Sequence, residues 1–206
     1  MTSPPRAKRT AKRAQISRAA RALFLSQGVA GTSMDAVTAE AGVSKQTLYS
    51  YFPTKLDLLS EVLITELDKL DLAEARVQQL ESPADFRDAL LQFASGFTTA
   101  ILRPDSVALL RLILGEAFRI PELRHIVRVG LPARILTLTT ELVRAAANQR
   151  IIDAPNPAMT ARMFVGPLMT FVALDGLLGA ADGRPPSRDE LEFIVDAVVA
   201  TVSVTP

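Results

Sequence analysis

The segment between residues 41 and 55, AGVSKQTLYSYFPTK, is rich in side chains that form hydrogen bonds with polar partners. Glutamine can pair with an adenine edge and lysine with a guanine edge, while hydroxyl groups can bind phosphate oxygens. A short polar helix of this kind adds little to an apolar core. Its residue types therefore predict an exposed face that contacts a nucleic acid, although a solvated helical hairpin would have a similar composition.

The composition excludes most catalytic chemistry. The chain has 206 residues, no Cys, no Trp and one histidine, His125. Thiol chemistry, zinc sites built from His and Cys, and His-based triads lack their residues. Neither GxGxxG nor GxxxxGK[ST] occurs, so we find no phosphate-binding glycine loop. The remaining enzyme hypothesis is a carboxylate pair of Glu116 and Asp175. We predict a protein that is not an enzyme and has no cofactor and no metal site.

Charge is distributed unevenly along the chain. Residues 1–60 contain nine Lys or Arg and three acidic residues, which gives a net charge of +6. The remaining residues contain 14 Lys or Arg and 19 acidic residues, which gives a net charge of −5. A basic end on an acidic protein indicates a polyanionic partner, nucleic acid above all. A basic, disordered, solubilising tail would give the same asymmetry.

Helical spacing of apolar residues runs throughout the sequence and predicts an all-α fold. We predict a disordered basic arm over residues 1–10, a helix-turn-helix domain over 11–53 and a second helical domain over 54–206. In the first domain, helices are expected at about 11–26, 34–41 and 45–51. Gly28 ends the first helix, and Gly42 supplies the positive φ for the tight turn between the other two.

The predicted turn gives the polar segment its role. Val37 and Leu48 face the first helix, so the polar side chains of the third helix share the outer surface. In a helix-turn-helix the second of the two helices lies in the major groove of DNA. Lys55 follows at the start of the next helix, where a cation beside free N–H groups suits a phosphate.

The rest of the chain is expected to form helices at 54–80, 83–102, 104–119, 121–150, 157–180 and 187–203. Gly130 and Pro132 interrupt the fourth of these, and Pro167 is expected to kink the fifth. The longest uncharged apolar run, residues 163–174, is shorter than the roughly 20 residues of a membrane span. No apolar signal-peptide segment follows the basic N-terminus. We therefore expect a cytoplasmic protein without a membrane partner.

The stretch GTSMDAVTAEAGVSKQTLYSYFPTKLDLL, residues 31–59, resembles the DNA-binding region of the TetR family of bacterial regulators. Shared features are a hydroxyl pair, then AGVS, TLY, an aromatic pair and a following Lys. GEAFRIPEL, residues 115–123, is similar to the regulatory domain of one subgroup. The pattern differs at Asp35, where relatives often carry a basic residue, and at Gln46, where Gly is frequent. The resemblance implies DNA contacts from Thr32, Ser33, Ser44, Lys45, Gln46, Thr47, Tyr49, Tyr51 and Lys55, with residues 6–13 reaching a groove or the backbone.

The same resemblance implies a role for the larger domain. Its helices would enclose a pocket for a small apolar or amphipathic ligand, and the last two helices would form a homodimer. The predicted pocket residues are Phe93, Phe97, Leu112, Ile113, Glu116, Phe164, Phe171 and Asp175. The implied function is repression from a palindromic double-stranded operator, relieved by the ligand. A regulator that needs a co-repressor, an activator and a non-specific DNA-binding protein remain alternatives.

Overall fold

The computed structural model describes residues 6–68, 80–118, 120–179 and 184–202. Every regular element in these ranges is helical, which confirms the predicted all-α fold. The elements are α1 Arg6–Gly31, α2 Met34–Ala41, α3 Lys45–Tyr51, α4 Lys55–Asp68, α5 Pro83–Ile101, α6 Pro104–Ala117, α7 Pro121–Val129, α8 Leu131–Asn148, α9 Pro157–Phe171, the π-helical turn Val172–Leu177, and α10 Arg188–Val202.

Some predicted features differ from the structure, and others lie outside the described residues. Residues 6–10, predicted as part of a disordered arm, are helical, because Ala, Lys and Arg are strong helix formers. Pro167 lies inside α9, and the departure from α geometry comes later, at Val172–Leu177. The predicted continuation of helix 54–80 over residues 69–79 lies outside the described residues, as do residues 1–5 of the arm.

The described residues divide into two compact bodies, those of 6–68 and 111–127, and those of 80–110 and 128–202. In the first body α1 packs on α2 and α4, and α2 packs on α3. One apolar face of α1 is buried, with Ile16, Ala20 and Phe24 fully inside. The predicted domain boundary between residues 53 and 54 stays a prediction.

The second body is built on α9, which packs against α5, α8 and α10, and on the pairing of α5 with α10. Phe86, Leu90 and Phe97 of α5 are buried, as are Phe164 of α9 and Val195 of α10. The apolar side chains recur at helical spacing, so each helix buries one stripe.

The helix from Pro157 to Leu177 is, by length and composition alone, long and apolar enough to cross a membrane. This helix contains Arg162 and Asp175, so it extends beyond the uncharged run of residues 163–174. A single helix of this kind is weak evidence, since core helices of water-soluble proteins have the same properties. Its packing against α5, α8 and α10 accounts for its apolar character on one side.

Candidate nucleic-acid interface

The α2–α3 turn is determined by local capping residues. Ser33 Oγ accepts a hydrogen bond of 3.0 Å from Ala36 N at the start of α2. Gly42 ends α2 in the left-handed region, at φ 59° and ψ 43°, and its N–H donates to Ala39 O. Ser44 Oγ then accepts from Thr47 N at 3.1 Å and starts α3. Because side-chain caps satisfy the free N–H groups of a helix start, these residues define where both helices begin and how sharply the chain turns.

α3 presents a polar outer face. Leu48 is fully buried and anchors the helix against the body, whereas Lys45, Gln46 and Tyr49 are exposed. Thr47 and Tyr51 are half-buried. The third predicted helix therefore has the arrangement that a recognition helix needs: one apolar anchor and a row of hydrogen-bonding groups directed to solvent.

Thr32 and Lys55, both predicted to contact DNA, donate hydrogen bonds to backbone carbonyl groups of the protein. Thr32 is only 1% exposed, and its hydroxyl donates to Gly28 O at 2.8 Å. Its side chain supports the chain before α2 and does not lie on the outer surface. The ammonium of Lys55 donates to Val29 O at 2.7 Å and to Thr32 O at 3.0 Å. Only one of its three N–H groups remains for the predicted phosphate, because an ammonium has three donors.

Lys45 also has a partner. Its Nζ lies 2.8 Å from Asp35 Oδ2, and both side chains are about two-thirds exposed. The hydrogen bond from this ammonium to Asp35 raises the pKa of Lys45 above its usual value. The structure therefore places one carboxylate directly beside the first residue of α3.

The basic residues of α1 pack on aromatic side chains at the end of α3. The Arg9 guanidinium lies 5.9 Å from the centre of the Tyr51 ring, and the Arg13 guanidinium lies 5.1 Å from that of Phe52. Arg13 also forms a two-pronged ion pair with Glu61 of α4, with Nε donating to Oε1 at 2.6 Å. Arg13, predicted as part of a DNA-reaching arm, thus links α1 to α4.

Sequence reasoning did not identify these connections within the first body. Gln15 of α1 donates to Ala41 O at 2.7 Å and joins α1 to the end of α2. Arg13 and Glu61 are 48 residues apart in the chain. No local spacing rule relates such residues, so only the +6 charge of residues 1–60 could have drawn attention to Arg13.

The predicted ligand residues fall into both bodies. In the second body Phe93, Phe97 and Phe164 form an aromatic cluster, with ring centres 6.3 Å apart for Phe93–Phe97 and 5.9 Å apart for Phe93–Phe164. Phe171 of the same body is half-buried and Asp175 is exposed. The predicted residues Leu112, Ile113 and Glu116 belong to the first body, where Ile113 is buried and the other two are half-buried.

A surface groove of about 460 Å³ lies in the second body, lined by residues of α5 and α10 and by Pro186. None of the predicted ligand residues lines it. Its lining is Asp88, Leu91, Gln92, Ser95, Pro186, Arg188 and Leu191. No group of three or more His, Asp or Glu within residues 6–68, 80–118, 120–179 and 184–202 could hold a metal ion.

The second body exposes an apolar surface on α9, the π-helical turn and α10. Of the eight large exposed apolar side chains in the described part of the chain, five are here, between 45% and 80% exposed. They are Met159, Met163, Leu174, Leu178 and Phe193. Because α9 and α10 pack against each other, these side chains belong to neighbouring helices. We call these five residues the α9–α10 apolar surface.

The two parts of the chain match known protein families. Residues 11–62 match a family model described as bacterial regulatory proteins, tetR family, and residues 88–204 match the AefR-like transcriptional repressor C-terminal domain. The HTH-type transcriptional repressor SCO4008 of Streptomyces coelicolor is 43% identical over 63 residues, 31% of this chain and 32% of that protein. The HTH-type transcriptional activator FasR of Mycolicibacterium smegmatis is 34% identical over 89 residues, 43% of this chain and 40% of that protein. The aligned regions span less than half of either relative.

Solved structures share the fold over nearly the whole chain. A TetR-family regulator from Mesorhizobium loti superimposes with a TM-score of 0.77 at 24% identity, covering 96% of this chain and 99% of that chain. The flavonoid-responsive regulator FrrA superimposes with a TM-score of 0.70 at 28% identity, covering 93% of this chain and 95% of that chain. Together with the two family models, the second of which alone spans more than half of the residues, these findings show that the chain belongs to the TetR family of bacterial transcriptional regulators.

Proposed function

We propose that this regulator is a homodimeric, sequence-specific repressor that leaves a palindromic operator when it binds an apolar or amphipathic small molecule. The observation that carries the DNA-binding part is α3, which is anchored by Leu48 and exposes Lys45, Gln46 and Tyr49. Lys45 and Gln46 are the proposed base contacts. The proposed phosphate contacts are Ser33, Ser44, Thr47, Tyr49, Tyr51 and the remaining N–H of Lys55.

The α9–α10 apolar surface supports the homodimer. Large apolar side chains exposed on neighbouring helices mark a contact site, because water-exposed apolar area is unfavourable. Two copies of the pair α9–α10 related by a twofold axis would make a four-helix interface. Two recognition helices about 34–36 Å apart would then meet successive major grooves on one face of B-DNA. This symmetry predicts an inverted-repeat operator.

Ligand-induced release requires that α4 and the recognition helix move together. The first two turns of α4 are connected to α1 by the Arg13–Glu61 pair, and Lys55 of α4 is connected to the chain before α2. A ligand that favours another tilt of α4 would therefore displace the DNA-binding helices with it. Such a ligand shifts the population away from the DNA-competent state in proportion to its preference for the other state.

The chemistry of the second body favours an apolar ligand. The Phe93, Phe97 and Phe164 cluster is an apolar, aromatic part of this body, and ligand sites are mostly apolar with few polar groups. Two similarities support the proposal further. The C-terminal model that matches this chain is described as a repressor domain, and FrrA is described as a flavonoid-responsive regulator.

The test is selection of bound sequences from a random double-stranded DNA pool with the purified full chain near physiological salt. The expected result is an inverted repeat whose half-sites are about one DNA turn apart. The recovered duplex is then used to screen apolar aromatic compounds for release. Recovery of unrelated sequences only would contradict sequence-specific repression and favour the non-specific alternative.

Activation is the second candidate, because FasR is described as an activator and is 34% identical to this chain over 89 residues. Repression and activation differ in where the operator lies relative to a promoter and in whether the bound protein lowers or raises transcription. Transcription in vitro from a template carrying the recovered operator distinguishes them: the repressor lowers transcript yield until ligand is added, and an activator raises it. The cytoplasm, where such templates occur, is the proposed location.

A further inference from the structure

An acidic side chain lies against the proposed DNA-reading lysine. Asp35 is in the first turn of α2, and its Oδ2 is 2.8 Å from Nζ of Lys45, the first residue of α3. The two side chains are 64% and 65% exposed, so the pair is on the outer surface beside Gln46. Residues 1–56 contain only one other acidic residue, Glu40, in an otherwise basic segment.

We propose that Asp35 is a specificity-determining residue, which withholds the Lys45 ammonium from DNA phosphates and releases it to a base of the operator. This inference rests on the proposed function and adds a role for a residue that makes no predicted DNA contact. Asp35 acts through Lys45 and is therefore a positioning residue.

The physical reason is the charge that the recognition helix presents to DNA. A lysine that neutralises a phosphate releases a counterion, and this sequence-independent term accounts for essentially all non-specific binding. Lys45 paired with Asp35 adds no net positive charge, so phosphates at a random site gain little from it. The negative phosphate backbone of DNA also repels the Asp35 carboxylate.

The Lys45–Asp35 ion pair can nevertheless dissociate when the protein binds its operator. Exposed ion pairs contribute little to stability because water competes for both partners. A guanine presents O6 and N7 to a lysine in the major groove, and such a base contact is stronger than an exposed ion pair. Lys45 therefore remains with Asp35 on non-specific DNA and exchanges it for a base only where the groove offers acceptors.

The test uses the full chain and two duplexes, the operator recovered by selection and one of unrelated sequence, over a series of salt concentrations. Asp35→Asn keeps the size of the side chain and removes its charge. On the unrelated duplex we expect at least a fivefold tighter binding, and a steeper dependence of log K on log salt by about 0.9 for each subunit, the value for one additional phosphate contact. The affinity ratio between operator and unrelated duplex should fall.

The decisive control is dependence on Lys45. In a Lys45→Gln background the effect of Asp35→Asn should shrink to the direct effect of removing one acidic charge, whereas Glu40→Gln, which removes the same charge from the same helix, should act equally in both backgrounds. The proposal is overturned if Asp35→Asn acts as strongly without Lys45, or if Glu40→Gln reproduces its effect. If the wild type prefers no sequence in the selection, the proposed function fails separately, and the unrelated duplex still decides whether Asp35 withholds Lys45. Melting temperatures of all variants verify that each one is folded.

Discussion

The ammonium of Lys55 connects α4 to the chain between α1 and α2, and its removal gives a prediction for stability. Lys55→Met keeps an unbranched side chain of similar length but deletes the hydrogen bonds to Val29 O and Thr32 O, at 2.7 and 3.0 Å. Both contacts are partly buried. The two carbonyl oxygens would lose a charged donor, and water would replace it only in part.

The magnitude follows from the strength of such bonds. A hydrogen bond to a charged group contributes about 1.5–3 kcal/mol, and the low end applies here because water reaches the site. Two bonds discounted for that access give a loss of roughly 2–3 kcal/mol in the free energy of unfolding. For a chain of this size each kcal/mol changes the melting temperature by about 2–4 °C, so we expect a fall of roughly 5–10 °C.

The assay is thermal unfolding of the full chain at constant protein concentration, because dimerisation would make the melting temperature depend on it. Lys45→Met is the matched control. It removes the same charge from an exposed pair with Asp35, and such pairs are worth about 0–1 kcal/mol. A Lys55→Met protein that melts within about 1 °C of the wild type would refute the reasoning, because the two carbonyl contacts would then contribute less than about 0.5 kcal/mol.

Three other predictions concern the interface, a helix cap and pH. Phe193→Asp places a charge in the α9–α10 apolar surface and should convert the dimer to monomer in sedimentation analysis; Phe118→Asp, at an equally exposed Phe of the first body, should leave the dimer intact. Ser44→Ala removes the N-cap of α3 and should cost about 1 kcal/mol of stability in urea unfolding; an unchanged urea midpoint would mean that the cap contributes nothing. The hydrogen bond from Arg87 lowers the pKa of Asp196 below its ordinary value of 3.8. The folded state then binds a proton at Asp196 less readily than the unfolded state does, so the stability that the Arg87–Asp196 pair contributes is present above about pH 4 and is lost on further acidification. Asp196→Asn should therefore reduce the slope of the free energy of unfolding against pH in that range. An unchanged slope would contradict a stabilising role for this pair.

Local residues made much of the DNA-binding fold predictable. The predicted bounds of the second and third helices, 34–41 and 45–51, coincide with those observed. Ser33 and Ser44 cap the helix starts, and Gly42 adopts the positive φ that ends α2. Each of these features depends on hydrogen bonds or backbone geometry within four residues, so the amino-acid types reveal them. The start of α1 was less predictable, because Lys and Arg suit both a helix and a disordered basic arm.

The sequence by itself thus determined the all-α class, the turn between α2 and α3 and the exposed polar face of α3. Tertiary structure decided which of those polar groups are available to DNA. It buried Thr32, placed Lys55 on two carbonyl oxygens and joined Arg13 to a glutamate 48 residues away. It also put Asp35 beside Lys45. A lysine or arginine on a surface has the same sequence signature whether its partner is a phosphate, a carboxylate or a carbonyl. The partner is set by distances between elements that are remote in the chain, and those distances exist only after the helices have packed.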